Sequence, residues 1–344
     1  MKKIYLSALA ILLAASHPGF SQDAVLQNTN VKELQKMEQE FQASNKLRQE
    51  RVQKYAAEKG VLIDHYLPDG KVISIIDIDE NGKPVYRETH NAKAAATIST
   101  NKVYPSATSA SKYNLSGRSF TIGEWDGGTN RITHREYQGR AIQADNGTMA
   151  LSEHATHVGG TLIAGGVVPT VRGMAYQAKL LANDWNNDDA EMTSRAAQGL
   201  LVSNHSYGTP SGWSWDGQWV WSGDDNINPL YDYKFGYYDT QARDWDRISR
   251  NAPYYLITKS AGNSRGDGPP NGTRPQNGPY DCLPTYSNAK NILTVGAVRP
   301  LVNGYSTPTG VQMTTFSSWG PSDDGRIKPD IVGDGEGVIS CGIA

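Results

Sequence analysis

The hydrophobic pattern between residues 31 and 60 predicts one amphipathic helix. Apolar side chains recur at roughly helical spacing with charged and amide residues between them, and Gly60 marks the end. Residues 71–88, KVISIIDIDENGKPVYRE, then contain two strand-like runs around the turn Asn81-Gly82. Residues 89–114 are small and polar without a sustained period, which predicts an exposed connector. The apolar positions of the helix are Val31, Leu34, Met37, Phe41, Leu47, Val52 and Tyr55.

From Arg118 onward the pattern changes to short apolar runs separated by helix-like segments. The runs cover residues 118–125, 177–184, 199–206, 254–260 and 290–298. The helix-like segments cover residues 154–165, 190–199 and 230–250. Strands and helices that alternate at this spacing predict an α/β fold, in which a mostly parallel sheet is covered by helices. Such sheets place their functional groups at the carboxyl ends of the strands.

The N-terminus has the pattern of a secretory signal peptide. Lys2 and Lys3 precede a short apolar stretch, residues 4–15, and small residues follow up to Ser21. The apolar stretch is too short for an ordinary membrane-spanning helix. We therefore expect cleavage near Ser21 and a secreted or cell-surface protein, against the alternative of a buried N-terminal helix. No second long apolar run follows, so the mature protein is expected to be soluble.

Composition adds limits to this picture. The chain has 344 residues, 38% of them hydrophobic, and a formal net charge of -2, which is typical of a globular protein. It lacks a basic run with interleaved aromatic residues, so nucleic acid is not an expected partner. Its two cysteines, Cys282 and Cys341, either form the disulfide that an exported protein allows or remain free thiols.

Three polar residues stand where the predicted strands or helices end. Asp126, followed by two glycines, can orient a histidine or form an ordinary Asp-Gly turn. His154 lies in SEHATHVGGT, residues 152–161, whose small residues would let a helix pack closely on a strand. It is an active-site histidine at a helix N-terminus, a capping histidine, or half of a metal site with His157. Asn263 can donate to a developing oxyanion or shape a turn.

Taken in order, these blocks resemble those of a known family. WDGG, HATHVGGT and SAGNS are similar to the Asp, His and oxyanion-Asn blocks of the subtilisin-like serine peptidases, the subtilases, in which the triad runs Asp, His, Ser. GMAYQAKLLAN, VSNHSYG, NILTVGAV and FSSWGPSDDGRIKPDIV extend the resemblance over about residues 110–344. Ala155 stands where the family usually has glycine. The resemblance implies a subtilisin-like three-layer α/β fold with a mostly parallel sheet.

The resemblance also implies a domain organisation. Residues 1–21 are the expected signal peptide, residues 22–110 a small α+β propeptide-like region, and residues 111–344 the peptidase domain. Propeptides of the family assist folding and block the cleft until they are removed. The chain's own propeptide is therefore an expected inhibitor, and an extra N-terminal domain is the alternative.

Catalytic roles follow from the same resemblance. Asp126 is expected to hold the Nδ1–H of His154, the general base, and Asn263 to donate to the oxyanion. His157 is expected to support its helix and His134 to shape the loop after Asp126. A polypeptide is the expected substrate. Ser206, Tyr207 and Gly208 are expected to pair with its backbone, and Ser260, Ala261 and Gly262 to form one wall of the primary specificity pocket.

One block of the family is missing from the sequence. Lys328-Pro329-Asp330 is present, but no Gly-Thr-Ser-Met-Ala block with the nucleophile follows it. The remaining serines nearby do not stand in that context, so we expect the sequence to be cut short before the catalytic serine. The alternatives are an inactive binding protein on the same fold and a metal-dependent hydrolase using His154 and His157.

Two further features have open interpretations. Residues 208–225, GTPSGWSWDGQWVWSGDD, form either an aromatic rim to the substrate cleft or a loop or hairpin that packs on the sheet edge. Calcium is common in the family as a structural ion, but no acidic loop has convincing ligand spacing. We expect VGDGEGV, residues 332–338, to be a turn.

Overall fold

The computed structural model describes residues 22–66, 72–89, 95, 97–104, 113–145, 147–168, 171–215, 217–228, 232–268, 280–301 and 303–343. The expected signal peptide lies outside these residues. Two helices come first, α1 at Gln22–Gln27 and α2 at Val31–Lys59. The Asn30 side chain caps α2 by accepting from the Glu33 amide, and Gly60 ends it with a φ of 67°. The long helix predicted to end at Gly60 is confirmed.

A small antiparallel sheet follows α2. Its first three strands are β1 (Asp64–Tyr66), β2 (Val72–Ile78) and β3 (Pro84–Thr89). Gly82 has a φ of 77° in the turn between β2 and β3, as predicted for the Asn81-Gly82 pair. β3 also pairs antiparallel with β8 (Tyr207–Gly208), which completes the sheet order β1-β2-β3-β8. The N-terminal region is thus hydrogen-bonded to a distant part of the chain.

The main sheet has seven strands. They are β4 (Thr121–Asp126), β5 (Ala141–Gln143), β6 (Lys179–Asp184), β7 (Val202–His205), β11 (Leu256–Ser260), β12 (Leu293–Val298) and β13 (Ile331–Asp334). Their order is β13-β12-β11-β7-β4-β6-β5, and every neighbouring pair is parallel. The five predicted apolar runs form β4, β6, β7, β11 and β12. The parallel α/β sheet expected from the sequence is confirmed.

Three helices cover the two faces of this sheet. They are α3 (Glu153–Ile163), α4 (Asp188–Ala197) and α5 (Thr240–Asn251). On one face, Ile163 of α3 shares a core with Ile122 and Leu180 of the sheet. On the other face, α4 and α5 enclose Trp125 and Ile257 in a second core. Helix, sheet and helix form the three expected layers.

The N-terminal region packs outside the second of these helix layers. Leu34, Met37 and Phe41 of α2 belong to the core of α4 and α5. Asn45 Nδ2 donates to Asp189 Oδ1 of α4 at 2.6 Å, and Arg48 Nη2 lies 3.0 Å from Asp189 Oδ2. Helix α2 is therefore held by apolar contacts and by a partly buried ion pair.

Several expectations about boundaries are wrong. The third helix begins ten residues later than the predicted 230–250, because Asp239 caps it by accepting from the Ala242 amide at 2.9 Å. Residues 89–114 are not a wholly exposed connector, since Thr97 and Tyr104 are buried in its described part. Residues 332–334 belong to strand β13 and not to a turn.

The tryptophan-rich segment folds as a hairpin. Its strands β9 (Trp213–Trp215) and β10 (Trp219–Trp221) form a separate two-stranded sheet. Trp213 lies opposite Trp221 and Trp215 opposite Trp219, so the four indoles share one face. Trp215 is 53% exposed. Trp213 contacts Trp221, whose ring packs against Phe235. The described residues of the segment form a hairpin whose strands pair only with each other, and its packing on the sheet edge, like the alternative of an aromatic rim to the cleft, stays a prediction.

None of the helices in the described residues combines the length and the apolar character needed to cross a bilayer.

Candidate active site

Three adjacent strands bring the predicted site residues to one edge of the sheet. Strands β4, β7 and β11 are neighbours and run parallel, so their carboxyl ends lie side by side. Asp126 ends β4. Residues 206–208 follow β7, and residues 260–263 begin at the last residue of β11. This edge therefore collects side chains that are far apart in sequence.

Helix α3 adds His154 to this edge. Ser152 caps the helix by accepting from the Ala155 amide at 3.1 Å, which places His154 in the first turn. Its Nδ1 lies 2.6 Å from Asp126 Oδ1, and the Gly127 amide donates to the same oxygen at 2.7 Å. Asp126 is fully buried and the His154 side chain is 9% exposed. The contact predicted between Asp126 and His154 is formed through Nδ1. The other ring nitrogen of His154, Nε2, lies on the far side of the imidazole from this contact.

Close packing holds α3 in position. A Cβ on Gly159 would lie 2.5 Å from both Asn130 Nδ2 and Tyr137 Oη, and 2.9 Å from Leu180 of β6. Asn130 in turn donates to the Ala155 carbonyl of α3 at 2.8 Å. The expectation that small residues let this helix approach a strand is confirmed at Gly159. Gly160 instead faces the segment around Cys341.

A second buried carboxyl group, Glu124, lies on the same face of β4 as Asp126. Its Oε2 accepts from Asn130 Nδ2 at 2.9 Å, and the Gly159 amide also bonds to it. Burial raises the pKa of Glu124 well above its usual range, and the Asp126 charge adds to this effect. The sequence analysis missed this group. Its position two residues before Asp126 is the signal that could have found it, because alternate strand residues share a face.

The other two histidines near the site have structural contacts. Burial lowers the pKa of His157, the nearby His154 adds to this, and a hydrogen bond to the Val338 backbone opposes it. His134 Nδ1 accepts from the Glu136 amide at 3.2 Å and so caps a short 3₁₀ turn. Within the described residues, no group of three His, Cys, Asp or Glu side chains could hold a metal ion.

Asn263 stands at the open end of β11. Gly262 before it has a φ of 102°, and its carbonyl accepts from the Ser318 amide at 2.8 Å. Ser318 Oγ accepts from the Ser264 amide at 3.0 Å on the other side. The Asn263 side chain is half-buried and forms no hydrogen bond within the described part of the chain. A fixed backbone thus presents an amide that can donate to a ligand.

The segment expected to bind a peptide backbone is already paired. Thr89 lies opposite Tyr207 and Glu88 opposite Gly208 in the antiparallel β3–β8 ladder. Ser206 Oγ accepts from Asn204 Nδ2 at 2.8 Å. An extended segment of this chain therefore uses the edge that sequence analysis assigned to substrate.

The expected pocket wall, residues 260–262, is anchored from behind. The Ala261 amide donates to the Val295 carbonyl at 2.8 Å, and Ser287 Oγ donates to the Ser260 carbonyl at 2.9 Å. The buried Lys259 also donates from Nζ to the Ser260 carbonyl at 2.9 Å. Sequence analysis did not single out Lys259.

A buried network of hydrogen bonds holds Tyr207 of β8 in place. His205 Nδ1 and Nε2 lie 2.8 Å from Tyr207 Oη and Ser203 Oγ, respectively. Tyr207 Oη donates to Asp188 Oδ2 at 2.8 Å. The imidazole of His205 stacks on Trp125, with centroids 5.3 Å apart. The sequence gives no local sign of this network, because its members lie on different elements.

Both cysteines are buried and neither is part of a disulfide. Burial raises the pKa of Cys341 to about 12 and also raises that of Cys282. The sequence left a disulfide or two thiols open, and the structure has the two thiols. Such thiols are poor nucleophiles at neutral pH.

One family model matches most of the chain. A model described as "Subtilase family" matches residues 68–342. This match begins inside the region expected to be propeptide-like, so the boundary near residue 110 stays a prediction. No curated protein matches the chain.

Similar solved structures are distant in sequence. The prenylagaramide maturation protease PagA is 18% identical, with 65% of this chain and 66% of PagA covered and a TM-score of 0.43. A cold-adapted subtilisin-like serine proteinase is 16% identical, with coverage of 70% and 72% and a TM-score of 0.39. Fervidolysin from Fervidobacterium pennivorans, a keratinolytic enzyme related to subtilisin, is 16% identical, with coverage of 79% and 44% and a TM-score of 0.37. The chain thus spans slightly less than two thirds of PagA.

Proposed function

This chain belongs to the subtilase family of serine peptidases, and from that membership we propose that it is part of a secreted endopeptidase that cuts polypeptides. The observation that carries the proposal is the 2.6 Å contact between Asp126 Oδ1 and His154 Nδ1. It lies at the carboxyl edge of a parallel sheet, where α/β proteins place their chemistry.

Asp126 and His154 have complementary roles in this proposal. Asp126 accepts the Nδ1–H bond and fixes the tautomer, which leaves Nε2 to take the proton of a serine hydroxyl. The serine oxygen attacks the peptide carbonyl carbon, and His154 then returns the proton to the leaving amine. Water hydrolyses the acyl-enzyme by the same exchange in reverse. The nucleophile is the one role that the proposal does not assign within these 344 residues.

Asn263 is the proposed oxyanion donor. Its side-chain amide is uncommitted among the described residues and stands at the end of β11, two strands from Asp126. A preorganised amide of this kind stabilises the negative charge that forms on the carbonyl oxygen in the transition state.

The N-terminal region is the proposed propeptide and inhibitor. β3 pairs with Tyr207 and Gly208, the residues expected to hold an extended substrate. A substrate and β3 cannot form the same backbone hydrogen bonds at once. Activity therefore requires that β3 leaves this edge.

The proposal is tested on the protein expressed from its complete gene. Exported material should begin near Gln22, as N-terminal sequencing shows, and should hydrolyse casein and peptides. Asp126→Asn should lower kcat by about 10⁴-fold because it favours the wrong histidine tautomer. His154→Ala should abolish measurable hydrolysis.

His134→Ala is the matched control, since His134 caps a turn and packs against Tyr137 and takes no part in the contact between Asp126 and His154. It should retain activity. If hydrolysis survives in His154→Ala, the Asp126–His154 pair is not catalytic. If the exported protein still begins with Met1, the N-terminus is not a cleaved signal peptide.

A further inference from the structure

A surface cavity lies at the edge of the main sheet opposite to the candidate active site. It has a volume of about 760 Å³ and is formed mainly by α5, residues 253–256 and residues 290–291. Strands β11 and β12 begin beside it, so it faces the amino ends of the parallel strands. Asp126 and His154 lie at the carboxyl ends. This α5 cavity has no part in the proposed mechanism.

Three arginines of α5 form a row along the cavity. Arg243, Arg247 and Arg250 are spaced by four and three residues, so they share one face of the helix, and all three line the cavity. The helical rise separates them along the axis by about 6 Å and about 4.5 Å. Lys290 adds a fourth cation, and Asp246 is the one carboxylate among the described lining residues. The cavity is therefore predominantly cationic.

Neighbouring carboxylates neutralise this row only in part. Arg243 and Arg247 both pair with Asp244, at 3.0 and 3.2 Å. Arg247 also pairs with Glu40 of α2 at 3.0 Å. All of these side chains are partly exposed, so water screens the pairs and each contributes little. Arg250 is exposed and forms no ion pair with any residue that the structure describes.

The floor of the α5 cavity holds a hydroxyl group without a hydrogen bond. Ser249 lines the cavity and is 6% exposed, and its Oγ has no partner among the described residues. Buried hydroxyl groups usually have one. The Asp246 carboxylate accepts from Tyr238 Oη and from the amides of residues 290 and 291 instead. Rotation about the Cα–Cβ bond re-aims the Ser249 hydroxyl, so a ligand oxygen in the cavity can supply its missing acceptor.

We propose that the α5 cavity binds an extended acidic segment of a polypeptide. Alternate side chains of an extended segment share one face and lie about 6.6 Å apart, which matches the step of about 6 Å from Arg243 to Arg247. Glutamate carboxylates at such positions accept from successive guanidinium groups. The carboxylate next to Arg250 also accepts from Ser249 Oγ. This binding site goes beyond the endopeptidase function and does not depend on it.

Apolar surface beside the arginine row favours a carboxylate on a hydrocarbon stem over a small inorganic anion. Pro253, Tyr254 and Leu256 line the cavity and are exposed. The methylene groups of bound glutamate side chains cover this surface and remove it from water. A phosphate ion has no such groups and fills only a small part of the cavity.

The test measures binding to the protein expressed from its complete gene and carrying His154→Ala, so that hydrolysis does not consume the probe. The probe is a fluorescent peptide of alternating glutamate and alanine, and the same peptide with glutamine is the reference. Fluorescence anisotropy at neutral pH should give at least about tenfold higher affinity for the glutamate peptide. Added salt should lower this affinity.

Variants of the lining locate the binding. Arg243→Gln combined with Arg250→Gln should lower the affinity for the glutamate peptide by about tenfold or more. Arg250→Gln alone should lower it by about threefold or more, without loss of an ion pair within the described structure. Arg135→Gln, in the exposed 3₁₀ turn capped by His134, is the matched control and should leave it unchanged.

Ser249→Ala separates binding from stability. It should lower the affinity by about twofold to tenfold, because the ligand loses a donor. The melting temperature should stay the same or rise, because the hydroxyl has no partner to lose in the free protein. An unchanged affinity would overturn the role of Ser249.

Two results would overturn the proposal as a whole. One is equal affinity for the glutamate and glutamine peptides, or wild-type affinity in the variants of Arg243 and Arg250. The other is binding of inorganic phosphate or dextran sulfate without binding of the glutamate peptide, which would assign the cavity to a different anion. Because binding is read without hydrolysis, these results hold whether or not the complete protein is an endopeptidase.

Discussion

At the scale of single residues, the site depends on groups whose neighbours are fixed before substrate arrives. Asn263 follows Gly262, whose φ of 102° and hydrogen bond to Ser318 set the direction of the chain. A donor held in this way gains little in binding the ground-state carbonyl and more in binding the oxyanion.

Asn263→Ala should therefore lower kcat by about a hundredfold to a thousandfold with little change in KM. Steady-state kinetics on one peptide substrate give both constants. Asn303→Ala, in an exposed turn, serves as the control and should change neither. An increase in KM at constant kcat would assign Asn263 to substrate binding instead.

Glu191 next to the site links stability to pH. It accepts from Trp125 Nε1 at 2.9 Å, and burial raises its pKa from an ordinary 4.5 to about 8, an effect that nearby aspartates reinforce. The folded state thus binds the Glu191 proton more tightly than the unfolded state between these two values. Its contribution to stability is present below pH 4.5 and is lost as the pH rises to about 8.

Glu191→Gln should remove the loss of stability that Glu191 causes as the pH rises, because glutamine keeps the oxygen that accepts from Trp125 and cannot ionise. The melting temperature of the variant minus that of the wild type should become more positive from pH 5 to pH 8. Glu336→Gln, at an exposed position, should show a difference that is independent of pH. A flat difference for Glu191→Gln would show that the carboxyl group ionises without cost.

At the scale of elements, the sequence predicts what local patterns encode. Strands β4, β6, β7, β11 and β12 each overlap a short apolar run of the sequence, and helix α2 has a clear period and a glycine stop. Strands β5 and β13 were not predicted. β5 has three residues, and Ile331 of β13 is 50% exposed at the sheet edge, so neither strand stands out as an apolar run. The burial of Tyr104 is equally invisible, since it depends on contacts with distant residues such as Arg172.

The contact between α2 and α4 is an element-level feature with a measurable strength. Burial and the Asp188 charge raise the pKa of Asp189, and Arg48 opposes them from α2. Arg48→Met leaves this carboxyl group with the Asn45 side-chain amide and the Ala190 backbone amide as donors and removes its positive partner. The docking of α2 should weaken, and hydrogen exchange of its amides should quicken by about tenfold or more.

Lys54→Met is the matched control for that experiment, because Lys54 is 75% exposed on the same helix. Its exchange should stay at the wild-type rate. Unchanged protection of α2 in Arg48→Met would mean that the ion pair with Asp189 adds little to docking and that other contacts, such as those of Leu34, Met37 and Phe41, hold the helix.

At the scale of the whole molecule, the order of the motifs predicted the Asp126–His154 pair, but it could not predict which distant strands pair. The Asp and His blocks are recognisable because each carries its chemistry within a few residues. The β3–β8 ladder has no such local mark, since it joins residues 88 and 89 to residues 207 and 208. Lys259 escaped notice for the same reason, because a lysine within a strand acquires meaning only through what surrounds it.

The N-terminal region is joined to the rest of the molecule at several places. They include the α2 contact with α4, the 2.9 Å ion pair between Lys83 and Asp224, and the β3–β8 ladder. Only the ladder uses the edge proposed for substrate, so disturbing it should release activity without undocking the whole region. Thr89→Pro removes a backbone donor from the end of β3 and forces the backbone out of the ladder geometry.

In the protein expressed from its complete gene, Thr89→Pro should shorten the lag before peptide hydrolysis begins after purification. Thr89→Val is the control, since it keeps the amide donor and a β-branched side chain suited to a strand. It should keep the wild-type lag. The yield of folded protein is measured alongside, which separates faster release of β3 from impaired folding. An unaltered lag in well-folded Thr89→Pro would show that β3 does not limit access to the site, and it would overturn the inhibitory role proposed for the N-terminal region.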